Sequence, residues 1–275
     1  DIIFSSSIYM DKLINGKLIA QKIREENTQM VATLKKQNIT PKLAVILVGN
    51  NKPSHTYVNK KKEEAEIIGM NFVLYEIDEK ISTEELTVKI QKIQEDSGLS
   101  GIIVQLPLPK HIDAKIILNA VHPDLDVDCL TDINQKKIED EKNTIIPPTP
   151  GAIMEILKEL NINVKEKNII IIGKGMLVGK PLSFILKRLG ALVTVCDSKT
   201  KDIKEKCLKA DIIISGVGKK DIVRGNMVKP GAVVIDAGIC FVNKKMYGDV
   251  NVPEVLEKAA FATPTPGGVG PITVS

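Results

Sequence analysis

A hydroxyl, a phenol and an amine recur at regular spacing in G-N-N-K-P-S-H-T-Y-V-N-K-K, residues 49–61, as Ser54, Tyr57 and Lys61. At roughly 3.6 residues per helical turn the three project from one face. The stretch follows the apolar run Leu43–Val48, and Pro53 stands where a first helical turn tolerates it, so strand, turn and helix are expected. A lysine near the carboxyl end of a strand lies where open α/β sheets bind ligands. Desolvation or a neighbouring cation makes such an amine exchange protons near neutral pH. The competing reading is a solvated helix face, because Lys60, Lys61 and Lys62 precede Glu63, Glu64 and Glu66. From this stretch alone the solvated face is the simpler reading, and the rest of the chain has to decide.

The elements that would position these groups alternate. Apolar residues at helical spacing over 17–36 predict a helix before the first strand. Gly69 suits a helix C-cap, Asn71–Ile77 a second strand, Ser82-Thr-Glu-Glu85 a capping box, and Gly101–Leu106 a third strand ending in Gln105-Leu-Pro-Leu-Pro109. A short helix over 114–121 leads to Asp126-Val-Asp128. The prolines of I-I-P-P-T-P-G, residues 145–151, are expected to interrupt regular structure and mark a domain boundary, with a connecting helix over 152–160.

Beyond it, the strand Asn168–Ile172 runs into Gly173-Lys-Gly-Met-Leu-Val-Gly-Lys-Pro181. This G-x-G-x-x-x-G is one residue longer than the usual dinucleotide fingerprint, but it too follows a strand and opens a helix. Glycines let the backbone approach a pyrophosphate, whose charge the free N–H groups of a helix start then meet. A second strand, Leu192–Cys196, ends in Asp197, 24 residues after Gly173, where a carboxylate can bond ribose hydroxyls. Further strands over 211–215 and 232–235 close with Gly216-Val-Gly218 and Asp236-Ala-Gly238. Four βα steps with glycine at the strand ends predict a Rossmann-type domain. Residues 263–271, T-P-T-P-G-G-V-G-P, are expected to be a stiff loop, too rich in Pro and Gly for a helix.

Composition bounds the function. The 275 residues are 43% hydrophobic and 26% charged, a globular balance, with a net charge of +4. An aromatic content of 3% with no Trp argues against a base-stacking nucleic-acid surface, and no nucleic-acid partner is expected. No apolar run approaches the roughly 20 residues of a membrane span. Cys129, Cys196, Cys207 and Cys240 have no metal-ligand spacing, so no metal is expected and reduced thiols point to the cytoplasm. The first nine residues lack the basic start of a signal peptide, and Met10 reads as a natural start.

With these motifs in place, the sequence resembles the bifunctional methylenetetrahydrofolate dehydrogenase/methenyltetrahydrofolate cyclohydrolase family from about Leu13 onward. The resemblance rests on the Gly49–Lys61 pattern, Val104-Gln-Leu-Pro-Leu-Pro109, Asp126-Val-Asp128, the Gly173–Pro181 loop and Pro266-Gly-Gly-Val-Gly-Pro271. It implies two α/β domains around a cleft, a folate-binding catalytic domain over 10–148 and a Rossmann-type NAD(P) domain over 149–275, and a homodimer. It also implies roles: Tyr57 orients the pterin ring, Lys61 sits at the reacting carbon, Gln105 hydrogen-bonds Lys61, and Asp128 binds pterin nitrogens. Ser54, Pro266, Gly267 and Gly268 would join the substrate site. Gly173, Lys174, Gly175, Val178, Gly179, Pro181, Asp197, Ser198, Gly216, Gly238 and Ile239 would hold the dinucleotide.

The chain departs from the family pattern in places. Cys129 replaces a Gly, Pro148 a Cys, Lys174-Gly175 an Arg-Ser, and Asp197 the His before Ser198, and the chain stops where the family continues into a C-terminal helix. Lys174 and Ser198 suit the 2′-phosphate of NADP, Asp197 favours NAD, and NADP is kept ahead. Alternatives are a dehydrogenase-only member, a folate- or dinucleotide-binding pseudoenzyme, and another two-domain Rossmann enzyme such as an amino-acid or shikimate dehydrogenase.

Overall fold

In the computed structural model residues 11–140 and 145–275 are described, so Met10 lies outside the described residues. The chain divides into two compact units. An N-terminal unit comprises Gln21–Pro147 with Val274 and Ser275; a C-terminal unit comprises Pro148–Thr273 with the stretch up to Ala20. That stretch pairs with the C-terminal unit, through a bridge between Leu13 and Ala262 and the Gly16 N–H donating to Gly267 O at 2.9 Å. A domain boundary at 148 alone would leave it with the other domain, since local pattern carries no sign of so distant a partner.

The N-terminal unit holds β1 (Lys42–Val48), β2 (Asn71–Ile77) and β3 (Gly101–Val104) in one parallel sheet of order β2-β1-β3. Central β1 is apolar on both faces because both are covered. Alternate residues go opposite ways: Ala44, Ile46 and Val48 pack with Leu86, Ile90, Ile102 and Ile117, while Val45 and Leu47 pack with Val58 and Ile103. Helix α1 (Gly16–Lys36), which begins in the other unit, precedes β1; α2 (Lys52–Ile68) and α3 (Thr83–Ile93) connect the strands, and α4 (Ala114–Asn119) and α5 (Asp132–Glu139) follow β3. Asn51 caps α2, Pro53 sits in its first turn, and Gly69 ends it at φ 84°. The capping box at Ser82 and Glu85 starts α3.

In the C-terminal unit, β4 (Asn168–Ile172), β5 (Leu192–Cys196), β6 (Ile212–Ser215), β7 (Val233–Asp236) and β10 (Phe261–Ala262) form a parallel sheet of order β10-β7-β6-β4-β5. Chain order reverses beside β4, which makes the β4/β6 edge the switch point where dinucleotides bind in doubly wound sheets. Around it lie α6 (Pro148–Glu159), α7 (Gly179–Arg188), α8 (Ile203–Cys207), α9 (Val252–Leu256) and α10 (Val269–Val274), with an antiparallel hairpin of β8 (Cys240–Val242) and β9 (Lys245–Tyr247).

Two proline readings are corrected. Helix α6 begins at Pro148, not at Ala152, because Pro148 and Pro150 occupy its first turn, where a missing N–H leaves nothing unpaired. The Pro/Gly-rich stretch is a loop only to Gly268; α10 starts at Val269 with Pro271 again in the first turn. Residues 261–262 and the hairpin strands, two or three residues each, were too short to show a period.

Candidate active site

One face of α2 is set apart by burial. Ser54 is buried and Tyr57 and Lys61 are half-buried, whereas Lys60 and Lys62 are exposed, so Lys61 is not part of a solvated face. Register puts the third member beside it: Ile46 pairs with Val104, and the Gln105 N–H donates to Ile46 O at 2.9 Å, so Gln105 leaves the sheet at its carboxyl edge. Lys61 Nζ donates to Gln105 Oε1 at 3.3 Å. Gln105 Nε2 donates to Leu106 O at 2.8 Å, which fixes the amide so that its oxygen faces the amine. Among the described residues the bond to Gln105 is the one hydrogen bond of the Lys61 amine, which leaves it able to meet a ligand or a water. Tyr57 keeps its proton to higher pH than a free phenol because burial disfavours the phenolate. Ser54 is partly occupied within the helix start, its N–H and hydroxyl both donating to Asn51 Oδ1 at 3.1 Å.

Asp128 completes the group. Its carboxyl is pushed above the usual range by burial, while the Lys61 charge opposes and the Asp126 charge adds to the shift. Among the described residues no hydrogen bond engages it. The turn that presents it is held by a residue the sequence reading quoted only as motif. Asp126, buried, accepts from Leu130 N–H at 3.0 Å, Thr131 N–H at 2.9 Å and Asn134 Nδ2 at 3.0 Å, tying the turn to α5. Gln135 Nε2 adds a bond to Cys129 O at 2.7 Å. Alternation of acid and apolar residues gave no sign that Asp126 and Asp128 divide the work, one inward to backbone and one toward the lysine.

Within that turn Cys129 stands at φ 56°, the left-handed region, fully buried. Its thiol is pushed up to about 12, chiefly by burial and further by Asp126 and Asp128, so it stays protonated and inert. Cys129→Gly would relieve roughly 1–2 kcal/mol of backbone cost but lose a similar amount of buried side chain, about 1–2 kcal/mol. Net stability by urea unfolding is expected within about 1 kcal/mol of the parent, whereas Cys129→Val, β-branched at this φ, should lose more than about 2 kcal/mol.

The C-terminal unit carries the phosphate loop. Gly173 closes β4 at φ 109°, and a Cβ there would stand 2.8 Å from Gly216 O. At Gly179 a Cβ would collide with the carbonyl oxygen of Gly173. Val178 opens α7 without a side-chain cap, and Pro181 fills its first turn. Without a side-chain cap, and with the Lys180 N–H already donating to Gly175 O at 3.0 Å, this helix start leaves the Gly179 N–H beside the glycine cradle, which fits the pyrophosphate of a dinucleotide. Lys174 and Gly175 are exposed, and Gly175 has open space around it. Asp197, exposed at the end of β5, is held below the usual carboxylate range by the Lys199 N–H and the Thr200 hydroxyl, with the Lys174 charge contributing. Both donors engage Oδ1, at 2.9 and 3.2 Å, so Oδ2 is the atom left for a ribose. Ser198 is exposed beside it, Gly216 and Ile239 border the ends of β6 and β7, and Gly238 is buried there. Pro266, Gly267 and Gly268 belong to this same unit, in the loop before α10.

The decisive observation is that residues 14–128 match the tetrahydrofolate dehydrogenase/cyclohydrolase catalytic domain and residues 147–275 that family's NAD(P)-binding domain. The chain belongs to the tetrahydrofolate dehydrogenase/cyclohydrolase family. A bifunctional protein FolD of Acetivibrio thermocellus is 43% identical over 96% of this chain and 93% of its own. The crystal structure of the bifunctional FolD dehydrogenase/cyclohydrolase of Campylobacter jejuni is 39% identical, with a TM-score of 0.93 over 95% of this chain and 94% of that one. The Trypanosoma brucei dehydrogenase-cyclohydrolase, solved with NADP cofactor and an inhibitor, is 34% identical, with a TM-score of 0.91 over 95% and 93%. Membership in the tetrahydrofolate dehydrogenase/cyclohydrolase family sets aside the amino-acid and shikimate dehydrogenase readings. Among the described residues no helix is long and apolar enough to cross a membrane.

Proposed function

We propose that this chain carries out both reactions of its family on one folate: oxidation of 5,10-methylenetetrahydrofolate to the methenyl cation, then addition of water to give 10-formyltetrahydrofolate with release of a proton. A bound nicotinamide dinucleotide supplies the hydride acceptor for the first reaction. The observation that carries the reading is the Lys61–Gln105 hydrogen bond beside the Asp128 carboxyl, inside the unit matching the family's catalytic domain. In this reading that unit binds folate and the C-terminal unit binds the dinucleotide.

Hydride loss leaves positive charge shared by two nitrogens and needs alignment more than a base. Hydrolysis is the step that needs a proton acceptor, and this reading gives that role to Lys61, which the hydrogen bond to Gln105 steers. Asp128, without a hydrogen bond among the described residues, accepts from the pterin N–H groups, Tyr57 packs on the ring, and Ser54 lines the same helix face. NADP is the favoured cofactor: Lys174 and Ser198 meet its 2′-phosphate, while half of the Asp197 carboxylate is already engaged in its own turn. The protein acts in the cytoplasm as a homodimer.

The test is a steady-state assay with 5,10-methylenetetrahydrofolate and NADP or NAD in parallel, following methenyl formation and decay. Formation and decay are expected, faster with NADP; binding of folate without turnover would overturn the enzyme reading in favour of a pseudoenzyme. The Asp128 role has a pH signature. Because its carboxyl is shifted upward, the anion that accepts from pterin N–H groups is lost as pH falls through a value above the ordinary 3.8. Folate KM should therefore climb in mildly acidic buffer, and Asp128→Asn should flatten that climb; a parallel rise in the variant would remove Asp128 from the site.

A further inference from the structure

Two loops leave the carboxyl edge of the C-terminal sheet, after β6 and after β7, and both hang from buried carboxylates. Asp249, fully buried just past the hairpin, accepts from the Ser215 hydroxyl at 2.6 Å and the Val217 N–H at 2.7 Å through Oδ2, and from the Lys219 N–H at 2.7 Å through Oδ1. All three donors lie at the end of β6 or in the loop it feeds. Asp236, the buried last residue of β7, serves the second loop: Oδ1 accepts from the Gly238 and Asp249 N–H groups and Oδ2 from the Val250 N–H, each at 3.0 Å. The Asp249 N–H thus links the two carboxylates, and the loops are fixed to one another. Glycine is needed at 238 and 248 for this approach, since a Cβ at either would collide with the Asp249 or the Asp236 carboxyl.

Two buried carboxylates are a costly way to fill a core, because each must recover its lost hydration through hydrogen bonds, and apolar groups of like volume often do as well. Here four of the six bonds they accept come from the end of β6 or the loops after β6 and β7, and the other two, from the Asp249 and Val250 N–H groups, join Asp236 to the segment that carries Asp249. With Asp197 marking the adenine ribose beside β5 and α7 marking the pyrophosphate, the far half of a dinucleotide crosses β4 toward those two strand ends.

We propose that Asp249 is a positioning residue for the nicotinamide half of the cofactor, holding the loop 216–219 directly and the loop 237–239 through Asp236. The proposal rests on the dinucleotide reading above. Asp249 touches no ligand; it sets the backbone that does.

The full-length protein and its Asp249→Asn variant are titrated calorimetrically with whichever dinucleotide the parent prefers, NADP or NAD, and with the matching adenine-half fragment, adenosine 2′,5′-bisphosphate or AMP. Asparagine keeps one acceptor but turns an NH2 toward backbone N–H donors. Intact dinucleotide should bind at least about tenfold more weakly, roughly 1.4 kcal/mol, with fragment affinity within about twofold. Equal losses for both ligands, or loss for neither, would overturn the proposal. Thermal melting reports whether the variant folds; if it does not, Ser215→Ala, which removes one donor and adds none, should cost about threefold for the dinucleotide alone, and no change there overturns the proposal as well. A parent that binds neither NADP nor NAD would overturn the cofactor reading itself, an outcome distinct from an unaltered variant.

Discussion

Replacing Lys61 with methionine is expected to lower methenyl hydrolysis by about a hundredfold or more, within the range that a positioned general base contributes. Methionine keeps the length and apolar stem of lysine, so packing along α2 is preserved while the amine that donates to Gln105 Oε1 at 3.3 Å is lost. The dehydrogenase step should suffer far less, within about tenfold, because it draws on alignment rather than on a proton acceptor. The same preparation reports both rates, one from reduced cofactor and the other from decay of the methenyl product, so a folding defect would lower them together. A Lys61→Met protein hydrolysing at the full rate would sink the assignment. Gln105→Leu should fall between parent and Lys61→Met, since it leaves the amine present but unsteered.

Much of this arrangement was legible in the chain. The Gly49 turn, Pro53, the Ser82–Glu85 capping box and the β4 loop are local devices, and each lies where its pattern predicts a strand end or a helix start. Ser54, Tyr57 and Lys61 on one helix face follow from spacing alone. What spacing could not decide was whether that face is dry, because Lys60, Lys61 and Lys62 are chemically alike and only the tertiary neighbour Gln105 separates them. The supporting carboxylates were hidden too. Asp249 bonds N–H groups brought near only by folding, whereas Asp126 bonds the N–H groups of Leu130 and Thr131 just ahead in an irregular turn that has no period to read. Proline misled twice, at Pro148 and Pro271, since it breaks a helix interior yet suits a first turn, and the pattern does not say which it faces.

Gly179→Ala sets two effects of opposite sign against each other. An alanine inside a helix ordinarily gains about 0.5–1 kcal/mol over glycine. At this helix start the new Cβ would run into the carbonyl oxygen of Gly173, a backbone atom with no rotamer to escape into. Gly173 cannot retreat freely, because it sits at φ 109° with its own Cβ position already 2.8 Å from Gly216 O. Overpacking of this kind costs about 1–3 kcal/mol or more, so the clash outweighs the helix gain and the variant should melt several degrees lower. Dinucleotide affinity should fall further than stability, by about a hundredfold, because the pyrophosphate loop has to open where N–H groups and ligand meet within hydrogen-bond distance. Gly175→Ala is the control for the stability term: its Cβ meets nothing within 4 Å, and melting should move by less than about 0.5 kcal/mol in equivalent stability. Should Gly179→Ala melt with the parent and bind dinucleotide equally well, the close packing of α7 against the end of β4 would not be what builds the phosphate site.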